Sequence, residues 1–306
     1  MGIRSAGFLL AAAVAASVAA CGGEGGGGSG GAAPIPAPIQ IQIPPQALAP
    51  GDDIAMCYYT TIPSGAAINV SAIQSTMPSE IVQLVLLRTP VAARPDGTVE
   101  ACGAATAAPV WVYGTQSMGG SLTLPAGVGL PLQASQPVYV KLHYLNTTAS
   151  SVSAQATITL QPVAGTVQLA GTLTSFNTQI NIAPGGVGSA SGQCSVPSGA
   201  QFFWLSTYTH NHATSTRINR FAGSTGALVL ESLDWQHPTV NTYTTPYLTF
   251  GGNEQLQYTC DYTNAGLSPL VEGESPTSEK CMTAGYYFPA TENHSCANSI
   301  DVPQPF

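Results

Sequence analysis

The stretch Val138-Tyr-Val-Lys-Leu-His-Tyr-Leu145 decides the fold class. Val138, Val140, Leu142 and Tyr144 alternate with Tyr139, Lys141 and His143, the period of two that belongs to a half-buried strand. Its β-branched and aromatic residues suit a pleated surface. The same texture returns in Ala154-Gln-Ala-Thr-Ile-Thr-Leu160, in Val167-Gln-Leu-Ala-Gly-Thr-Leu173, and from Phe202 to Thr209 and Leu256 to Tyr262, with turn residues between. No stretch after residue 21 carries a convincing helix of three turns. Short strands at regular spacing predict an all-β protein of sandwich type.

Composition agrees and excludes other classes. The chain has 306 residues with 7 Lys+Arg and 15 Asp+Glu, a charged fraction of 7% against about 25% in an average domain. A formal net charge of −8 with so few cations leaves no footprint for nucleic acid. Coiled coils and charge-laced bundles lack the Glu/Lys pairs they need. Hydrophobic residues make up 44%, too many for charge-driven disorder. No apolar run reaches the ~18 residues of a membrane span.

The N-terminus reads as an address. One positive charge at Arg4, an apolar run from Gly7 to Ala20 and small residues before Cys21 describe a secretory signal over 1–20. Val18-Ala19-Ala20-Cys21 resembles a bacterial lipobox, which implies cleavage before Cys21 and lipidation of its sulfur. The implied location is the cell envelope, on the outer membrane, with the membrane itself as partner through the acyl chains. Residues 21–50, first Gly-rich and then Pro-rich, are expected to form a disordered tether. The folded body is then 51–306.

Six further cysteines, Cys57, Cys102, Cys194, Cys260, Cys281 and Cys296, form an even set suited to disulfides in an oxidising compartment. No CxxC spacing points to zinc or thioredoxin-like chemistry. Two lie early and four late, which divides the body into domains at 51–163 and 164–306. Cys57–Cys102 is the one choice for the first domain, and three connectivities remain overall.

Among five histidines, His210-Asn-His212 stands out. On a strand, residues i and i+2 share a face, and two neutral imidazoles there can bind one metal ion. His143 shares the less apolar side of its strand with Tyr139 and Lys141; it is a weaker ligand candidate. His237 and His294 read as loop residues. There is no GxSxG, HExxH, Walker loop or dinucleotide fingerprint, and no hydrolytic carboxylate pair can be picked out.

Several segments together resemble the copper type II, ascorbate-dependent monooxygenases, the family of peptidylglycine α-hydroxylating and dopamine β-monooxygenase. They are Leu124-Pro-Ala-Gly-Val-Gly129 followed by Leu142-His143-Tyr144, the His210-x-His212 pair, Asp234-Trp235 through Tyr258-Thr-Cys260-Asp-Tyr262-Thr-Asn264, and Ser278-Glu-Lys-Cys281 with Tyr286-Tyr287-Phe-Pro289. The resemblance spans roughly 55–300. It implies two antiparallel jelly-roll domains in tandem and the pairs Cys57–Cys102, Cys260–Cys281 and Cys194–Cys296. It also implies two copper sites, and this chain departs from both. The first-domain His-His pair falls on Val82 and Gln83, leaving His143 alone. The second-domain site takes the HxH pair and a Met before the Cys, and that position is Lys280. A protonated ammonium has no lone pair for a metal. Met282 is the substitute thioether, which with His210 and His212 would suit a single Cu(I).

The expectation is therefore a copper-binding or degenerate monooxygenase with at most one copper ion. One alternative is an active monooxygenase with an altered electron route, acting on an unknown small molecule or peptide. The other is a non-catalytic surface binding module.

Overall fold

A computed structural model describes residues 36–103, 109–275 and 277–306. The signal peptide, the lipidated Cys21 and most of the expected tether lie outside the described residues. Within them the protein is all-β: no helix is present, and none is long and apolar enough to cross a membrane.

Four main sheets build two jelly-roll sandwiches. Sheet I runs Ile39–Gln42, Thr157–Val163, Ile68–Thr76, Val128–Leu132 and Gln168–Leu169, with Ser121–Thr123 also on Ile68–Thr76. Sheet II runs Val99–Ala101, Asp53–Thr61, Pro137–Leu145, Ile81–Arg88 and Val110–Thr115. Asp53–Thr61, Ile68–Thr76 and Ile81–Arg88 cross between the sheets in turn, as do Val128–Leu132, Pro137–Leu145 and Thr157–Val163. This is the jelly-roll pattern. Sheet III runs Val240–Thr242, Gln201–Thr209, Cys281–Phe288, Gly171–Asn177, Asn293–Ala297 and Ile300–Gln304. Sheet IV runs Val187–Ser195, Gln255–Thr263, Ala213–Phe221 and Thr225–Ser232. Pairing is antiparallel except where Gln168–Leu169 meets Val128–Leu132 and where Gly171–Asn177 meets Asn293–Ala297.

The decisive strand behaves as its alternation predicts on one side only. Val138, Val140, Leu142 and Tyr144 sit in the core of the first sandwich. Tyr139 and His143 are buried as well, and Lys141 is half-buried, because sheet III covers that face. Residues of the second sandwich (Phe203, Tyr208, Ala284, Tyr286 and Phe288) belong to the same apolar cluster as the first core, while a second cluster fills the space between sheets III and IV. Polar groups fasten the joint. Trp111 Nε1 donates to Tyr286 Oη (3.2 Å), Tyr286 Oη donates to the Val112 carbonyl (3.0 Å), and Thr172 Oγ1 donates to the Trp111 carbonyl (3.3 Å).

Two boundaries need correction. The tether expected over 21–50 does not extend to residue 50. Ile39–Gln42 pairs with Thr157–Val163, and Gln46–Leu48 pairs with Val152–Ala154. The alternation Ile39-Gln-Ile41-Gln-Ile43 puts isoleucines on one face, and Ile41, Ile43 and Leu48 are buried in the first core. The domain boundary moves from 163/164 to about 170. Gln168–Leu169 still pairs within sheet I and Ala170 belongs to the first core, while Gly171 opens sheet III.

All three disulfides form: Cys57–Cys102, Cys194–Cys296 and Cys260–Cys281. The last links sheet IV to sheet III through the second core, as does Cys194–Cys296; both pairs are almost fully buried.

Candidate functional site between the two sandwiches

Sheets II and III do not close completely on one another. A cavity of about 570 Å³ opens between them. Tyr59, Leu87, Trp111 and Tyr139 line it from the first sandwich, and Phe176, Tyr208 and Met282 from the second. Tyr59 and Tyr139 stack with centroids 5.4 Å apart. Lys141, Glu272, Glu274 and Lys280 also line it. An apolar cleft with a few convergent polar groups is the usual form of a small-molecule site.

The charged group crosses the joint. Lys141 of the first sandwich and Lys280 of the second both pair with Glu274, and Lys280 also pairs with Glu272. These are the only two lysines in the chain. Burial, reinforced by the neighbouring Lys280, lowers the Lys141 pKa despite Glu274. For Lys280 burial acts downward too, but Glu274 and Glu272 outweigh it and the net shift is upward. Burial would raise Glu274, yet the two ammonium groups bring it down to about 2. With Lys280 shifted up and Glu274 shifted down, these two form an ion pair at neutral pH.

The HxH pair is placed differently from the expectation. Gln201–Thr209 ends one residue before His210, and His210–Ala213 form a turn closed by the Ala213 N–H donating to the His210 carbonyl (3.2 Å). The two histidines therefore do not alternate along one strand face. Glu279, with 0% exposure, organises this turn. Its carboxylate accepts from the backbone N–H groups of His210 (3.0 Å), His212 (2.7 Å) and Lys280 (3.2 Å), and lies 3.2 Å from His212 Nδ1. Burial raises the Glu279 pKa, against the pull of these donors. His210 Nδ1 lies 2.8 Å from the Ser278 carbonyl. A carbonyl only accepts, so Nδ1 carries the proton. Burial brings His210 down to about 3, with the Ser278 bond opposing and His143, Lys280 and Lys141 assisting, so its ring is neutral.

His143 meets His210 across the joint, with ring centroids 5.9 Å apart. Its Nε2 lies 2.6 Å from Asp53 Oδ1. Gln83, where the resemblance implies a histidine, is an interdomain fastener. Its Nε2 donates to the Thr209 carbonyl (3.0 Å) and its Oε1 accepts from Tyr208 Oη (2.6 Å). Gln116 Nε2 donates to the Thr209 and Trp235 carbonyls (3.3 and 2.6 Å).

These residues do not assemble the family's two copper sites. In the first, Val82 and Gln83 supply no imidazole, and Gln83 is committed to Tyr208. In the second, the position to which the resemblance gives a thioether is Lys280, whose ammonium is held by two glutamates. Met282 stands opposite Tyr208 in the register, so it lines the cleft rather than joining both histidines. Among the described residues one group of three or more His, Cys, Asp or Glu donors lies within 4.8 Å, namely Cys194, His294, Cys296 and Asp301. Cys194 and Cys296 are joined in a disulfide and offer no thiolate. His294 lies on the buried strand Asn293–Ala297, not on a loop, while His237 is exposed and its Nδ1 lies 3.1 Å from Asp234.

Sequence reasoning found the histidines and Lys280 but missed Glu272, Glu274, Glu279 and Asp53, and it named Gln83 only as the place of an absent ligand, not as a fastener to Tyr208 and Thr209. One signal for the glutamates was present: three of the chain's few carboxylates crowd into Glu272-Gly-Glu274 and Glu279, beside Lys280.

No family model matches the chain, and no curated protein matches it. Among solved structures it is similar to the major capsid protein P2 from Bacteriophage PM2, at 8% identity and a TM-score of 0.34, covering 82% of this chain and 97% of that one. It is also similar to the Cowpea mosaic virus top component, at 10% identity and a TM-score of 0.30, covering 87% and 89%. Likeness at this level bears on neither substrate nor activity.

Proposed function

We propose that this protein is a degenerate relative of the copper monooxygenases that works as a binding module. In this reading it is exported and lipid-anchored through Cys21, and its interdomain cleft takes a small, largely apolar organic molecule. One observation carries the reading. At the position where the family places its methionine ligand, Lys280 is tied to Glu272 and Glu274, in the lining of an aromatic cavity large enough for a ligand. The family's reaction needs two coppers because one Cu(I) supplies one electron. A chain whose first-site histidines are replaced, and whose second-site thioether is an ammonium, lacks the donors for that chemistry. What remains is a preformed cleft with a stacked tyrosine pair, a tryptophan and a methionine on its walls, and paired charges that can orient a polar end.

Filling the cleft tests this. The probe 1-anilinonaphthalene-8-sulfonate has an aromatic body and one polar end. It should bind the native chain with a stoichiometry near one, and Leu87→Trp, which places an indole in the cavity, should weaken it at least tenfold without unfolding the protein. Binding unaffected by Leu87→Trp, or none at all, contradicts the reading.

A further inference from the structure

A second cavity, of about 220 Å³, lies between the strand Val110–Thr115 with the loop that follows it and the strand Gln201–Thr209. Trp111 and Tyr208 line it and the larger cleft alike, edge to face with centroids 6.2 Å apart, and so form the partition between the two. Its size falls below the roughly 300–1,000 Å³ of drug-sized sites, so it admits one small ring rather than an extended molecule.

Its walls are of two kinds. Trp204 and Tyr286, edge to face with centroids 5.2 Å apart, present aromatic surface together with Tyr113. Ser117 and Ser121 bring hydroxyls, each able to donate or accept. Gln116 is 7% exposed, and its Nε2 is committed to the Thr209 and Trp235 carbonyls. Its Oε1 is buried and accepts no hydrogen bond among the described residues. A buried acceptor without a partner is uncommon in a folded protein and calls for a donor that the chain itself does not supply. Charged side chains line the larger cleft; among the described residues none lines this cavity.

We propose that this cavity is a carbohydrate site that takes one neutral sugar ring. A purely apolar guest would leave the Gln116 Oε1 without a donor and strip the serine hydroxyls of water, which costs free energy at each group. A charged guest would find no counter-ion there. A sugar ring presents C–H surface on its faces, which packs on indole and phenol rings. Around its edge it carries hydroxyls that both donate and accept. It therefore matches both kinds of wall at once. The inference does not depend on what the larger cleft holds.

Saturation-transfer NMR titration of the full chain tests it, with glucose, galactose, mannose and N-acetylglucosamine as neutral probes and glucuronate and glucosamine as charged ones. At least one neutral sugar should bind saturably, and the two charged sugars should bind at least tenfold more weakly than the best neutral one. Trp204→Ala, which removes an aromatic wall, should weaken that binding at least tenfold. Val240→Trp should do the same. Val240 stands opposite Ser206 on the edge strand of sheet III, shares its face and is 48% exposed, so a bulky side chain there obstructs the cavity and leaves the core untouched. Leu87→Trp, at a position that lines the larger cleft but not this cavity, should leave sugar binding within twofold. Thermal melting confirms that each variant is folded. No saturable binding of any neutral sugar by the native chain, equal binding of charged and neutral sugars, binding unchanged in both Trp204→Ala and Val240→Trp, or binding lost in Leu87→Trp overturns the proposal.

Discussion

Lys280 is the residue on which the functional reading turns, and its meaning comes from its partners. An isolated ammonium in a cleft could move aside for a metal. One paired with Glu272 and Glu274, at 15% side-chain exposure, is held in place. Glu274 gains as much from the arrangement, since Lys141 and Lys280 hold its carboxyl at about 2. A carboxyl depressed below its unfolded value stabilises the fold above the unfolded pKa and loses that contribution as pH falls towards the folded one. Urea midpoints should therefore drop between pH 5 and about 2 more steeply for the native chain than for Glu274→Gln; equal slopes would show that Glu274 is not held by the lysines. The identities of Lys280, His210, His212 and His143 were legible from residue type and spacing. The approach of His143 to His210 was not. It joins residues on different sandwiches, and no local periodicity encodes which faces of two sheets will meet.

At the level of strands, alternation carried most of the fold. Pro137–Leu145, Thr157–Val163, Gln201–Thr209 and Gln255–Thr263 all lie where period-two patterns placed them. Ile39-Gln-Ile-Gln-Ile43 has the same alternation in five residues, but prolines on both sides made it look like a spacer. Ile41 and Ile43 are buried because pairing with Thr157–Val163 turns that face onto the first core. Ile41→Ala should destabilise the protein by roughly 3 kcal/mol, the usual cost of truncating a buried isoleucine, measured by chemical denaturation. A change near zero would return this segment to the tether. The HxH pair shows the opposite failure. Its spacing suggested a strand, but Glu279 accepts the backbone N–H groups of both His210 and His212 there and favours a turn instead. A buried side chain from another segment overrode the local pattern, which propensity alone cannot anticipate.

The molecule as a whole is two sandwiches stapled by disulfides and joined through a polar and aromatic seam, in a chain with very few charges. Cys194–Cys296 closes 102 residues and Cys260–Cys281 closes 21. Loop-closure entropy assigns about 4.7 kcal/mol to a bridge of the first length and about 1.4 kcal/mol less to the second. Replacing Cys194 and Cys296 together by Ser should thus lower stability more than replacing Cys260 and Cys281. The reverse order would show that native-state packing around the bridges outweighs the chain entropy. The same scale separates the proposed binding module from a working oxygenase, because the chemistry of the copper monooxygenases, which the sequence resembles, needs two metals. At the positions to which the resemblance gives copper ligands the chain has Gln83, bonded to Tyr208 and Thr209, and Lys280, paired with Glu272 and Glu274. Oxygen uptake in a sealed cell with excess ascorbate and saturating copper tests this most directly. The account predicts a rate no greater than that of the same copper and ascorbate without protein; sustained, protein-dependent consumption that is abolished in His210→Ala would contradict it.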